Sequence, residues 1–170
     1  LRTILAELAR ISDHLLCVGA AALDLGGLTA FLYAFNEREK VYDIIESASG
    51  QRFHPSYTRV GGLMADITDD VVEKVRKFVE TFPKALDDVA RLLNRNKIFI
   101  DRTQGVGVLS KADAISWSCT GPVARAAGVV RDLRKDEPYL AYPELQSSFK
   151  IVCSKAGDCL ARYLVRMDEM

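Results

Sequence analysis

The sequence has no surplus of charge in either direction. Its 170 residues carry 23 Lys and Arg against 23 Asp and Glu, so it lacks the basic excess that neutralises phosphates, and nucleic acid is excluded as a partner. Cysteine and histidine are sparse, at four and two residues. Cys17, Cys119, Cys153 and Cys159 lie far from forming a CxxC pair, and His14 and His54 do not complete a zinc pattern. Reduced thiols in a cytosolic setting, and no structural metal, are the expectation. No secretory leader is legible. The chain begins at Leu1 inside one amphipathic run and ends at Met170 inside another, as though cut through helices, and a fragment of a longer polypeptide is expected.

What is present is an apolar, helix-forming chain. Hydrophobic residues make up 49%, which fits one globular domain over residues 1–170, able to bury about two thirds of its unfolded surface. Ile4, Leu8, Ile11, Leu15, Val18, Ala22 and Leu25 recur in three- and four-residue steps, predicting a long helix with one buried face. The run from Leu15 to Phe35 is as long as a membrane span, but Asp24 and Gly26-Gly27 interrupt it and no basic flank anchors its start. It reads instead as helix buried on all sides of a multi-helix core. Gly19 would let a neighbouring backbone approach closely, and Gly26-Gly27 would end or kink the helix. Phe31, Tyr33 and Phe35 form an aromatic group, either core or the wall of an apolar pocket.

Asn36 is read as the cap of a second helix, with Glu37 and Glu39 in its first turn and a stop at Gly50. Thr68 is the candidate cap of a third, whose stripe Val71, Val75, Phe78, Phe82, Leu86, Val89 and Leu93 continues to Asn94, with a kink or a restart expected at Pro83. Gly105-Val106-Gly107 lacks the third glycine of a nucleotide fingerprint, because Ser110 stands there. Ser110 with Asp113 reads as a capping box. Arg125, Arg131, Arg134 and Lys135 either face an anionic partner or pair with Asp132, Asp136 and Glu137. Phe149 to Cys153 reads as a short strand, and Gly157-Asp158 as the start of a last helix.

Between the helical stretches stands SGQRFHPSYTRVGGLM, residues 49–64. Pro55 is expected to keep His54 extended, so that Phe53, Pro55 and Tyr57 face one way and Arg52, His54, Ser56 and Thr58 the other. Gly61-Gly62 would close the segment as a hairpin. On this reading one imidazole stands on a stiff arm near the cations Arg52 and Arg59. They would lower its proton affinity, whereas a negative redox centre nearby would raise it. The alternative is a structural histidine in a hairpin.

The order LDLGGLTAFLYAFNEREK, SGQRFHPSYTRVGG, TGPVARAAGVVRDLRKDEPY and GDCLARYLVRMDEM resembles the D subunit of bacterial NADH:quinone oxidoreductase, respiratory complex I, over essentially the whole chain. The resemblance implies a mainly α fold, a multi-helix bundle with a small β-hairpin, related to the large subunit of nickel–iron hydrogenases. It implies no cofactor bound by this chain. NADH and quinone would be substrates of the complex, and a 4Fe-4S cluster would sit in the neighbouring subunit. That subunit and the membrane quinone-site subunit would be partners, on the cytoplasmic side of the bacterial inner membrane as a peripheral assembly. His54 would be the proton-linked contact to the terminal cluster, and the expected cations Arg52 and Arg59 beside it fit that role. Phe31, Phe35 and Phe53 would line the quinone cavity, and Arg125 and Arg134 would serve structure or subunit contact. The family's quinone-ligating histidine and tyrosine belong upstream of Leu1. A membrane-bound nickel–iron hydrogenase large subunit, whose CxxC pairs would fall outside this stretch, and a structural docking module are the alternatives.

Overall fold

The computed structural model describes residues 1–170 and is mainly helical, with one two-stranded hairpin. It divides into two compact units, Leu1–Leu92 and Leu93–Met170.

The first unit opens with α1 (Arg2–Asp24) and α2 (Leu28–Ser49). The sequence between them cannot stay helical, and Gly27 N–H turns back to donate to the Ala22 carbonyl at 2.6 Å. The two helices pack against each other. Gly19 is where they meet most closely: a Cβ there would stand 3.3 Å from Ala34 Cβ and 3.4 Å from the Phe35 ring. Leu8, Leu15, Val18 and Ala22 of α1 and Ala30, Ala34, Val41 and Ile44 of α2 are buried.

Two expectations are corrected here. The Leu15–Phe35 run is not buried on all sides, because Leu16, Leu23, Leu28, Leu32 and Tyr33 are exposed. Each helix buries one face, and no helix is long and apolar enough to cross a membrane. Asn36 does not cap α2 but lies within it, since the helix restarts directly after Gly27. The good helix formers on either side of Asn36 leave no reason to interrupt the backbone there. Glu37 is consequently buried in α2, where one carboxylate oxygen accepts from Lys40 Nζ at 2.6 Å and Asn36 Nδ2 at 3.2 Å.

α2 ends at Gly50, and the chain passes through the loop 51–57 into β1 (Thr58–Arg59) and β2 (Gly62–Leu63). The strands are antiparallel, pairing Thr58 with Leu63 and Arg59 with Gly62. Gly61 supplies the positive φ of +87° in the connection. Tyr57 is buried, and its hydroxyl donates to the Ala65 carbonyl at 2.8 Å. That bond anchors the base of the hairpin.

α3 (Asp69–Leu93) starts where Thr68 carbonyl accepts from Val71 and Val72, with Asp69 and Asp70 in its first turn. Pro83 neither breaks nor restarts it. A proline removes one backbone donor, but Phe78, Phe82, Val89 and Leu93 are buried on both sides of it, and Phe78 and Phe82 stack at 4.9 Å. Packing of that stripe outweighs one missing hydrogen bond.

The second unit contains α4 (Lys97–Thr103), α5 (Lys111–Ser116), α6 (Gly121–Ala126), α7 (Leu133–Asp136) and α8 (Cys159–Glu169). Ala126 of α6 packs with Ala161 and Val165 of α8, with Val152 against them. Ser110 caps α5 by accepting from Asp113 N–H at 3.1 Å, while its hydroxyl donates to the Asp113 carboxylate. Asp158 caps α8 through Ala161 N–H at 2.7 Å and accepts Gly105 N–H at 2.8 Å with its other oxygen. The glycine-rich 105–107 loop thus spends a backbone donor on a helix cap of the same chain. Phe149–Cys153 forms no strand. A strand needs a partner, and the segment is tied to α6 through Ser154 N–H and the Arg125 carbonyl instead.

The basic 125–135 stretch is paired internally. Arg134 Nη2 and Nε donate to the buried Asp132 carboxylate at 2.6 and 3.0 Å, and Arg131 pairs with Glu137 at 3.1 Å. Arg125 Nε donates to Glu169 at 2.7 Å, joining α6 to the end of α8. Burial pushes the Asp132 carboxyl up, but hydrogen bonds from Arg134 and the charges of Arg134 and Arg125 outweigh it, so the group is held below its ordinary range. A carboxyl lowered by folding contributes stability that is whole above its unfolded pKa, about 3.9, and is lost as pH falls through its folded value. Acid titration followed by circular dichroism should therefore show helix loss below about pH 4. Asp132→Asn should flatten that acid-dependent part while lowering stability at neutral pH.

Candidate functional site

α2 carries two side-chain stripes that bear on the loop after it. Phe31, Phe35, Arg38 and Tyr42 fall at helical spacing along one side, and Glu39, Asp43 and Glu46 along another. Phe31 and Phe35 are half-buried, with ring centroids 4.1 Å apart. The Arg38 guanidinium lies 5.3 Å from the Phe35 ring centre and 5.0 Å from that of Tyr42. Its Nε donates to Ser12 Oγ of α1 at 3.1 Å. One cation thus bridges two aromatic faces.

The loop following α2 returns onto these stripes. Phe53 meets Tyr42 edge-on at 6.0 Å and its ring lies 3.9 Å from the His54 imidazole. Phe53 is 59% exposed, and His54 is exposed beside it. Arg52 lies over Tyr42 at 5.9 Å. Its Nη1 donates to Asp43 at 2.8 Å and Glu46 at 3.0 Å, and its Nη2 to Glu39. The hydrogen bonds to Asp43 and then Glu46 push the guanidinium above its ordinary range.

His54 is not extended. Its φ is +53°, in the left-handed region, although a following proline by itself favours extended backbone; the chain turns here, and Arg52 and Phe53 lie against α2. The expected alternation of side chains is absent: Phe53 is exposed while Tyr57 is buried. Nor do two free cations flank the imidazole. Arg52 is engaged by three carboxylates, and Arg59 Nε donates to the Ser56 carbonyl at 3.2 Å. The imidazole itself has a ring contact to Phe53 and no hydrogen bond or ion pair within the chain.

Six sequence candidates therefore fall into three places. Phe31 and Phe35 form one pair on α2. Arg52, Phe53 and His54 form the loop tip, and Arg59 sits in the hairpin. Phe53 does not touch Phe31 or Phe35; Arg38 and Tyr42 stand between them. Arg38, Tyr42 and the Glu39, Asp43, Glu46 triad were missed by sequence reasoning, although their steps of three and four residues were legible once α2 was taken back to Leu28. His14 is buried on α1. No group of three or more His, Cys, Asp or Glu side chains is arranged to hold a metal ion.

The chain is thus a mainly helical scaffold that presents an imidazole on a braced surface loop. The chain belongs to the family described as the respiratory-chain NADH dehydrogenase, 49 Kd subunit, whose model matches residues 24–170. It is similar over all 170 residues to the second NADH-quinone oxidoreductase D subunit of Sinorhizobium medicae, at 49% identity, covering 42% of that protein. The NADH-quinone oxidoreductase D subunits of Methylacidiphilum infernorum and Wolbachia pipientis wMel are each 48% identical to the whole chain, which covers 40% and 43% of them. The chain spans about two fifths of the length of these curated relatives. The hydrogenase alternative is set aside by this match.

Proposed function

We propose that this chain belongs to the D subunit of a proton-pumping NADH:quinone oxidoreductase, where it forms part of the quinone site and contacts the subunit carrying the terminal 4Fe-4S cluster. The observation that carries this reading is the His54 imidazole: exposed, braced by Phe53, and with both ring nitrogens free of partners in its own chain. Imidazole is the side chain whose charge changes near neutral pH. An unspent imidazole held at a surface offers a proton site to a negative centre brought against it. Phe31 and Phe35 offer the flat apolar surface that a planar headgroup requires. The quinone, when bound, takes up electrons and protons. NADH is oxidised elsewhere in the complex, and the assembly lies peripherally on the cytoplasmic side of the inner membrane.

The test is His54→Met in the full-length subunit within the assembled complex. The midpoint potential of the neighbouring cluster should fall with pH in the wild type, by up to about 59 mV per unit for one proton per electron. It should be flat in the variant. A variant that keeps the wild-type slope and changes only stability would mean that His54 merely fills a docking loop.

A further inference from the structure

We infer that Arg52 is a positioning residue: its guanidinium, shared among Glu39, Asp43 and Glu46 of α2, fixes the backbone of the 51–57 loop and so sets the direction of the His54 imidazole. This rests on the reading of His54 given above.

Three carboxylates at steps of four and three residues lie on one stripe of α2, about 10 Å long. Left alone they repel one another. Arg52 meets all three at once, which only a planar fork with several donors does well. Two residues later stands His54, in a conformation that a non-glycine residue adopts at a cost. Phe53 joins the two, lying on Tyr42 on one side and against the imidazole on the other. Ser49 adds a bond on the other flank, its Oγ donating back to the Ile45 carbonyl at 2.7 Å and accepting Gln51 N–H at 3.2 Å.

The exposure of the clamp separates positioning from bulk stability. All four side chains are 43–65% exposed, and exposed ion pairs add little to the free energy of folding. Their effect falls on where the loop goes. The same geometry distinguishes the clamp from a simple charge effect on the imidazole, because the acidic partners can be removed while the cation stays.

The experiment compares Arg52→Gln, Arg52→Lys and the double variant Asp43→Asn with Glu46→Gln, alongside His54→Met, all in the assembled complex. Amide hydrogen exchange over residues 50–57 and the pH dependence of the neighbouring cluster's midpoint potential are read together. Arg52→Gln and the double variant should each speed loop exchange about tenfold and at least halve the pH slope. Arg52→Lys should fall between them and the wild type, and the melting temperature should barely move. Wild-type exchange in Arg52→Gln would overturn the clamp. So would a double variant that keeps the full slope while Arg52→Gln loses it, since Arg52 would then act by charge alone. If His54→Met itself keeps the slope, the redox reading fails, and loop exchange alone decides: acceleration in both clamp variants supports the clamp, and wild-type rates overturn it.

Discussion

Gly157→Ala should destabilise the chain by about 3–5 kcal/mol. The added Cβ would collide with the Leu109 carbonyl oxygen and stand 3.2 Å from its carbon, at a φ of +67°. The conformation alone costs about 1–2 kcal/mol for a non-glycine residue. The clash then forces apart two backbone segments that hold each other. Gly157 carbonyl accepts Leu109 N–H at 2.9 Å and Arg162 Nη1 at 2.7 Å, and Gly157 N–H donates to the Ala126 carbonyl at 2.9 Å. Each lost bond adds about 1 kcal/mol. Gly61→Ala is the control: its φ is +87°, yet a Cβ there meets nothing within 4 Å. Only the conformational part, about 1–2 kcal/mol, should appear. Urea denaturation of both variants measures the difference, and equal losses would show that sterics at Leu109 are unimportant.

Arg125→Met should cost about 3–5 kcal/mol. Arg125 and Glu169 are the most deeply buried ion pair of the second unit, with side chains 4% and 2% exposed. Removing the guanidinium leaves the Glu169 carboxylate out of water without that partner, and it also removes the Nη1 bond to the Arg131 carbonyl at 3.2 Å. Arg125→Met with Glu169→Met should recover most of the loss, because a buried pair stabilises little more than an apolar pair of similar volume. A double variant as unstable as the single one would place the penalty in packing around α6 instead. Either variant leaves the Arg52 clamp untouched, so loop exchange at residues 50–57 serves as an internal reference.

The helices were largely legible because their causes are local. Apolar spacing marked α1, α3 and α8, glycines marked the break before α2, and Ser110 and Asp158 announced their helices by capping chemistry. Errors arose where a local signal competed with packing. Asn36 has the chemistry of a cap but lies mid-helix, inside a helix that already starts at Leu28. The 149–153 run has strand-like composition and no strand to pair with.

The site divides along the same line. Sequence alone marked out the loop: Gly50 and Gly61-Gly62 permit the turns that bound it, Pro55 stiffens it, and a histidine between them is conspicuous without any coordinates. It also sufficed for kinship, since four motifs in order do not depend on contacts. Tertiary structure alone decided which charges meet. Arg52 reaches acids 6, 9 and 13 positions away, and Arg125 reaches Glu169 across 44. A guanidinium binds any carboxylate equally well, so its partner is chosen by where the backbone has already gone.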